Sequence, residues 1–178
     1  MLVRLRTRSN SINALRKAGN EQVAKRIEDA QAERNRSIVQ AFKQEFDFCP
    51  VYFFFSDDSK NVRDHKLSEV RFLNDQLQHD PSIQFAGKNY LTAEFANIEQ
   101  DTLKRFNNYA TDPADSKEKR YYGGTNFGFA ALIIKSDQLV QLRRPFPYYV
   151  RTYEGLPFKR KKATVVKILN KELHQFYQ

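Results

Sequence analysis

Alternation of apolar and charged side chains opens the chain. Between residues 2 and 8, apolar or small side chains alternate with Arg4, Arg6 and Arg8. A period of two is typical of a half-buried strand, so we expect a first strand here with its arginines facing solvent. The polar residues 9–11 are suited to cap a short helix, which Gly19-Asn20 is expected to end.

A second helical pattern follows directly. From Val23 to Phe46, apolar residues recur at steps of three, four or eight positions, while the charged residues lie largely on the opposite face. The pattern predicts one amphipathic helix of about 25 residues, longer than most helices of globular proteins. After it, the apolar run 51–55 stands between Pro50 and the polar residues 57–59, as expected of a central strand covered on both faces.

The stretch that follows predicts a helix, a strand and a second helix. Asp58 or Ser59 is expected to cap the first helix, and Asp80-Pro81 to end it. Residues 83–95 predict a strand or a short hairpin, and residues 98–109 predict a helix. The first helix is inferred from the spacing of its apolar residues, which are Val62, Leu67, Val70, Leu73 and Leu77.

The C-terminal part combines loops, two strands and a last helix. Residues 110–128, with Pro113, glycines and many charges, predict a long loop. Strands over 129–135 and 138–143 are expected to form a hairpin around Ser136-Asp137. Residues 144–162 contain prolines and a glycine and cannot stay regular for long, whereas residues 162–176 show the apolar spacing of a closing helix.

Length and composition predict one soluble domain, residues 1–178. The 15 Phe and 9 Tyr residues supply a core without disulfides. Because no apolar run approaches the roughly 20 residues of a membrane span, we expect no transmembrane segment. The basic N-terminus is not followed by a signal-peptide stretch, which predicts a cytoplasmic protein, or a periplasmic or secreted one if a leader was removed before Met1.

The order of the predicted elements is strand, helix, strand, helix, strand, helix, strand, strand, helix. This order resembles that of the thioredoxin family. Residues 50–62 are similar to that family's central strand, active loop and following helix, and residues 130–140 to its late strand pair. The resemblance implies an α/β, thioredoxin-like three-layer sandwich with a mixed central sheet, here with a long N-terminal helix, in a bacterial branch without redox cysteines.

The residues at the family's active positions exclude its redox chemistry. Residues 57–60 contain no cysteine where that chemistry needs a low-pKa thiolate. Gly128-Phe129 stand where the family has its cis-proline. Cys49 is the single cysteine and precedes the strand, so we expect it to act as a small buried apolar residue. The resemblance therefore implies a non-redox binding or interaction domain that needs no cofactor.

The segment 143–162 is the main candidate for a binding surface. It holds seven basic and five aromatic residues, a composition suited to nucleic acid, because cations neutralise phosphate and rings stack on bases. The alternative is a loop pinned to the body by its aromatic rings. We expect a protein or an anionic ligand in preference to a specific nucleic acid. The predicted binding residues are Arg143, Arg144, Tyr148, Tyr149, Arg151, Tyr153, Lys159, Arg160, Lys161 and Lys162.

The turn after the predicted central strand is a second candidate. Asp57, Asp58, Ser59 and Lys60 lie where α/β sheets bind ligands, and together with His65 they suggest an enzyme with a rearranged site. Helix capping explains the same residues. The sequence shows no catalytic motif, and its histidines are too widely spaced to predict a metal site.

The net charge of +9 is unevenly spread along the chain. Residues 140–178 hold nine Lys or Arg against two acids. Four of these cations, Lys159–Lys162, open the last predicted helix, where the helix dipole is already positive and a bound anion would relieve the repulsion. The distribution favours association with nucleic acid, an anionic lipid surface or an acidic partner. At the start of the helix, ordinary screening by solvent is the alternative to a bound anion.

Overall fold

The computed structural model of the chain describes residues 1–87, 89–98, 129–154 and 157–178. It confirms an α/β protein with a mixed sheet, and none of the described helices has the length and apolar character needed to cross a membrane. The described helices are α1 (Ser9–Lys17), α2 (Glu21–Glu45), α3 (Ser59–Arg63) and α4 (Lys162–Phe176). The described strands are β1 (Leu2–Leu5), β2 (Tyr52–Phe55), β3 (Phe72–Leu73), β4 (Thr92–Asn97), β5 (Ala130–Lys135) and β6 (Tyr149–Arg151).

The six strands form one sheet in the order β3-β2-β1-β4-β5-β6. β1 is parallel to both of its neighbours, β2 and β4. The remaining pairs, β2 with β3, β4 with β5 and β5 with β6, are antiparallel. As a result, the carboxyl ends of β1, β2 and β4 lie at one edge of the sheet, and β6 is the outermost strand on the other side of β5.

The larger hydrophobic core lies between one face of the sheet and the helices α2 and α4. Val3, Phe53 and Ile134 point into it from three strands, Phe42 from α2 and Leu169 from α4, and all five are buried. Each such side chain contributes about 1.5–3 kcal/mol through its removal from water. This core joins elements from both ends of the chain and fixes α4 beside β6.

A smaller hydrophobic cluster covers part of the opposite face. It contains residues of β1 and β2 together with residues from the connection between β2 and β4. Its buried members are Leu2, Phe54, Val62, Val70, Phe72 and Tyr90. Two different layers therefore cover the β1–β2 part of the sheet, which explains why the Phe-rich run of β2 is apolar on both faces.

The arginines of β1 only partly match the expectation of a solvent face. Arg6 and Arg8 are exposed, but the side chain of Arg4 is only 23% exposed. The reason is the position of β1 in the middle of the sheet, where Arg4 lies between Phe54 and Glu94 of the neighbouring strands. Arg4 is therefore enclosed, and the expectation that it faces solvent is wrong.

The helix predicted from Asp58 to Asp80 is wrong beyond its first turns. α3 ends at Arg63, and His65 then takes a left-handed conformation with φ of 56°. Further along, Phe72 and Leu73 form β3 against β2 instead of continuing a helix. The spacing of apolar residues cannot distinguish a helix from a strand here, because the same residues are apolar in either case. Pairing with β2, which is distant in the sequence, decides for the strand.

The hairpin predicted from residues 129–135 and 138–143 is correct only in its first strand. β5 covers Ala130–Lys135, but its main partner is β6, and the predicted second strand contributes a single bridge, between Lys135 and Gln141. Leu139 has a φ of 59° and turns the chain away from an extended course. Val150 of β6 is buried in the core, which favours the later segment as the partner.

Other sequence predictions have different outcomes. β4 occupies the end of the segment predicted over 83–95. The helix predicted over 98–109 and the loop predicted over 110–128 lie almost wholly outside the described residues. Cys49 is half-buried and packs against the larger core, close to the position expected of a small apolar residue.

Candidate functional site: the cleft between β6 and α4

A cleft of about 520 Å³ lies beside β6, which is the edge strand next to β5. One wall comes from the chain leading into β6 and from β6 itself, and the other from α4 and the residue Arg160 that precedes it. We call it the β6–α4 cleft. It is lined by Arg144, Pro145, Phe146, Pro147, Tyr148, Tyr149, Val150, Arg151, Tyr153, Arg160, Ile168 and Glu172.

Aromatic packing holds the wall that precedes β6. The ring of Phe146 lies edge-on to that of Phe176 of α4, with 5.3 Å between the ring centres. Tyr148 and Tyr149 contact each other at 4.8 Å, and the carbonyl of Tyr148 accepts a hydrogen bond of 2.7 Å from the amide of Ile134. The peptide bond between Arg144 and Pro145 is cis. The wall is thus tied to both the sheet and α4.

Two of the three cleft arginines stack on aromatic rings. The guanidinium carbon of Arg151 lies 4.6 Å from the centre of the Phe129 ring, and that of Arg160 lies 4.6 Å from the centre of the Tyr153 ring. Such contacts orient a guanidinium group without neutralising it. Neither group, nor that of Arg144, is within 4.0 Å of a carboxylate in the described part of the chain. Their positive charges therefore remain uncompensated at short range.

Glu172 is the single acid among the residues lining the cleft. Burial raises the pKa of its carboxyl above the ordinary value, and the charge of Arg160 opposes that shift only in part. A raised pKa means that the site disfavours negative charge on Glu172 itself. With three arginines and one glutamate among its described lining residues, the cleft carries a net positive charge.

The predicted basic loop divides between the cleft and the start of α4. The structure brings Arg144, Tyr148, Tyr149, Arg151, Tyr153 and Arg160 together in the cleft. It does not place Arg143, Lys159, Lys161 or Lys162 there. The rings pin the loop to the body, as the second interpretation expects, and six of the predicted residues line an open cleft.

Positive charge also accumulates where α4 begins. Lys161 is the N-cap residue, no side chain caps the helix, and no acid occurs in its first turn. The pKa of Lys162 is lowered, first by burial and then by the nearby charges of Arg34 and Lys159, against an opposing contribution from Glu154. Arg34 and Glu154 form an ion pair of 3.1 Å. The field beside the cleft is therefore positive as well.

The turn Asp57–Lys60 is occupied by structural contacts. Asp58 is buried and accepts hydrogen bonds from the backbone amide and the guanidinium group of Arg71, at 2.9–3.2 Å. Asp57 accepts hydrogen bonds from the hydroxyls of Thr7 and Ser9, and Ser59 accepts one from Arg4. Neither acid caps α3 with its side chain, so helix capping does not explain them. They join the end of β2 to the segment that follows β1 and to the residue that precedes β3.

The remaining members of that second candidate do not converge on it. Lys60 is exposed. The imidazole of His65 lies within 3.3 Å of the Tyr90 hydroxyl and within 2.8 Å of the Gln138 side-chain amide. Within the described residues, no three His, Cys, Asp or Glu side chains are grouped as a metal site would require.

A charged cluster around the buried Glu94, formed by residues of β1, β4 and β5 and by Arg6, was not predicted from the sequence. The Glu94 side chain is 3% exposed and pairs with Arg4 at 2.9 Å, Arg6 at 2.9 Å and Lys135 at 3.7 Å. Burial by itself would raise the pKa of Glu94, but the charges of Arg4, Lys135 and Arg6 outweigh it and hold the pKa below its ordinary value. The only sequence signal was the alternation of arginines in β1, and its convergence on Glu94 depends on strand register.

Comparisons of the chain with protein-family models, with curated proteins and with solved structures found no match.

Proposed function

We propose that this protein is a non-redox binding domain that holds an anionic partner in the β6–α4 cleft. The observation that carries this proposal is the presence of three guanidinium groups, from Arg144, Arg151 and Arg160, in one cleft without a carboxylate at ion-pair distance in the described residues. Guanidinium groups with unused donors bind carboxylate or phosphate through charge-assisted hydrogen bonds.

The surroundings of the cleft support an anionic ligand. Tyr148, Tyr149 and Tyr153 add rings and hydroxyl groups, which give polar contacts at low conformational cost. Lys159, Lys161 and Lys162 stand beside the cleft and extend its positive field, which attracts anions at long range. The contacts already made by Asp57 and Asp58 favour this role over catalysis at the turn after β2.

A relationship to redox-silent thioredoxin-like domains belongs to the same proposal. What supports it is the β1–α2–β2 unit, followed late in the chain by an antiparallel pair and a closing helix. The turn after β2 holds Asp57–Lys60 in place of cysteines. Binding by such a domain needs neither a thiol nor a cofactor.

The test is a titration with poly-L-glutamate, comparing the wild type with the triple variant R144A/R151A/R160A. We expect the variant to bind about tenfold or more weakly, because each lost charge-assisted bond contributes about 1.5–3 kcal/mol before losses from solvent screening. The matched control removes three exposed cations of α1 and α2, in K17A/K25A/R26A.

The control equalises net charge between the two variants. If the binding energy comes from the total charge of the protein, both variants will weaken equally and the proposal fails. If it comes from the cleft, the control will bind like the wild type. Equal or stronger binding of a single-stranded oligonucleotide of the same charge would assign the cleft to nucleic acid instead.

A further inference from the structure

We propose that the ligand of the β6–α4 cleft is an extended acidic peptide segment that adds to β6 as a further strand of the sheet. This inference rests on the proposed function and names the partner of the same cleft. It depends on the backbone of β6, on the two sides of the cleft and on the distribution of charge.

The hydrogen bonds between β5 and β6 fix which backbone groups of β6 face outward. The amide of Ile134 donates to the carbonyl of Tyr148 at 2.7 Å, and the amide of Thr152 donates to the carbonyl of Ala130 at 2.9 Å. Because direction alternates along an antiparallel strand, the carbonyl of Tyr148, both backbone groups of Val150 and the amide of Thr152 face β5. Tyr149 and Arg151 therefore turn their amide and carbonyl groups away from the sheet. The carbonyl of Thr152 accepts a hydrogen bond of 2.9 Å from the amide of Arg160.

The outer edge of β6 is only partly occupied. The carbonyl of Arg151 accepts a hydrogen bond of 3.3 Å from Nη1 of Arg160. The amide and the carbonyl of Tyr149 and the amide of Arg151 have no strand beside them in the described part of the sheet, because β6 ends its order. These groups alternate between donor and acceptor, which is the pattern that an added strand requires.

The cleft lies along this edge and offers a different surface to each face of an added strand. On the α4 side a side chain would meet Ile168, Phe146 and Glu172. On the opposite side it would meet the side chains of Tyr149 and Arg151, which project from β6 away from the larger core. Alternating apolar and acidic residues in the peptide fit this division.

The charge of the cleft selects an acidic peptide. Its lining contains three arginines and one glutamate, and the pKa of Glu172 is raised by burial. A basic strand would add like charges to this set, whereas acidic side chains on the face opposite α4 would meet Arg151 and lie in the positive field of Arg144 and Arg160. The same repulsion opposes a second copy of this chain, whose own β6 carries Arg151.

Nucleic acid matches the charge but not the backbone pattern. Phosphate groups accept hydrogen bonds and donate none, so they leave the outward carbonyl of Tyr149 unpaired. A peptide backbone supplies both a donor and an acceptor at each alternate residue. The outer edge of β6 therefore favours a peptide over a polynucleotide.

The experiment uses a capped synthetic peptide of about eight residues in which glutamate alternates with valine, a length suited to one added strand. Two analogues carry N-methyl groups on alternate residues, one at every glutamate and one at every valine. Because successive amides point to opposite edges of a strand, pairing with β6 uses only one of the two sets. We expect one analogue to lose about tenfold or more in affinity and the other to bind within about threefold of the parent peptide.

Variants of β6 give a second measurement. Proline at position 149 removes an outward amide and leaves the bonds to β5, so Y149P should weaken peptide binding about tenfold. Y149A loses the same ring and keeps the amide, so it is the matched reference against which the effect of the missing amide in Y149P is measured. Hydrogen exchange at Tyr149 and Arg151 should slow when the peptide binds, while Val150, already bonded to β5, serves as the internal control.

The outcomes separate this inference from the proposed function. Equal binding of both methylated analogues, together with weakened binding to R144A/R151A/R160A, would overturn strand addition and leave an anionic cleft. Unchanged binding to R144A/R151A/R160A would remove the proposed function as well. Sedimentation showing a dimer that Y149P dissociates would assign the edge to a second copy and would also overturn the inference.

Discussion

Two groups of arginines in this protein differ in their surroundings, because one group is paired with a buried carboxylate and the other lines an open cleft. Arg4 and Arg6 converge on Glu94, which is enclosed in the sheet and receives both guanidinium groups at 2.9 Å. Arg144, Arg151 and Arg160 line an open cleft, and Glu172 is the one acid among its described lining residues. In the first group the charges satisfy one another, and in the second they retain capacity for a ligand.

The comparison shows that binding potential depends on what the folded chain leaves unpaired. The alternating arginines of residues 2–8 begin in β1, yet the register of β1 against β4 places Arg4 beside Glu94, and Arg6 reaches the same carboxylate. The segment 143–162 has a less regular pattern of basic residues, yet two of them, Arg151 and Arg160, stack on aromatic rings instead of pairing with carboxylates. A basic residue in a sequence therefore predicts a binding site only when the groups that it contacts in the folded protein are known.

The largest expected effect is on stability, from the variant E94Q. Removing the carboxylate leaves Arg4, Arg6 and Lys135 facing one another in a half-buried setting, and we expect a loss of about 3 kcal/mol in the free energy of unfolding. Chemical denaturation measures it. Poly-L-glutamate binding in the cleft should stay unchanged, and a loss of both properties would break the separation between the two groups.

The same variant gives a pH test with a defined sign. The pKa of Glu94 is lower in the folded protein than its ordinary value of about 4.3. Its contribution to stability is therefore fully present above that value and is lost as the pH falls through the lower folded pKa. The stabilities of the wild type and E94Q should differ most near neutral pH and converge in acid. A difference independent of pH would show that Glu94 acts by packing alone.

A smaller loss is expected from D58A at the end of β2. Asp58 is buried and binds the amide and guanidinium groups of Arg71, so its removal should cost about 2 kcal/mol in stability. Asp57 is exposed and bonds only hydroxyl groups in the described structure, so D57A should cost about 0.5 kcal/mol. Equal losses would contradict the structural role assigned to Asp58.

The cleft arginines should matter little for folding. Their contacts with Phe129 and Tyr153 are partly exposed, so R144A/R151A/R160A should lose about 1 kcal/mol or less in the free energy of unfolding. Thermal unfolding measures this loss beside the expected fall in affinity for poly-L-glutamate. A loss as large as that of E94Q would place these arginines in the structural group.

The smallest effect is expected from E172Q. Removing the negative charge should tighten binding of poly-L-glutamate about two- to threefold. Because the pKa of Glu172 is raised by burial, a falling pH neutralises Glu172 before it neutralises the carboxylates of the ligand, so the affinity of the wild type should rise relative to that of E172Q. Parallel pH profiles for the two proteins would remove Glu172 from the cleft's electrostatics.

The sequence predicted elements well where local pattern decides them. The spacing of Val165, Val166, Leu169 and Leu173 predicts a closing helix over 162–176, and α4 has those bounds. Gly19, at a φ of 77°, follows the end of α1 as expected. These features depend on residues close together in the chain, so a pattern is sufficient.

The predictions that are wrong concern elements whose structure depends on pairing with strands distant in the sequence. β3 replaces a predicted helix because Phe72 and Leu73 pair with β2. β5 takes β6 as its partner across the turn, beyond the nearer segment 138–143. The same limit applies to the site, because the sequence named the cleft arginines and tyrosines but could not separate them from Arg143 or Lys159.

The position of β1 has a consequence for how the protein is made. Leu2 pairs with Tyr52 on one side and with Thr92 on the other, so this strand leaves the ribosome well before either neighbour. At a synthesis rate of roughly 5–20 residues per second, β1 waits about 5–20 seconds for β4. During that interval the apolar residues of β1 have no completed sheet to enter, so the strand cannot bury both of its edges until β4 has been synthesised.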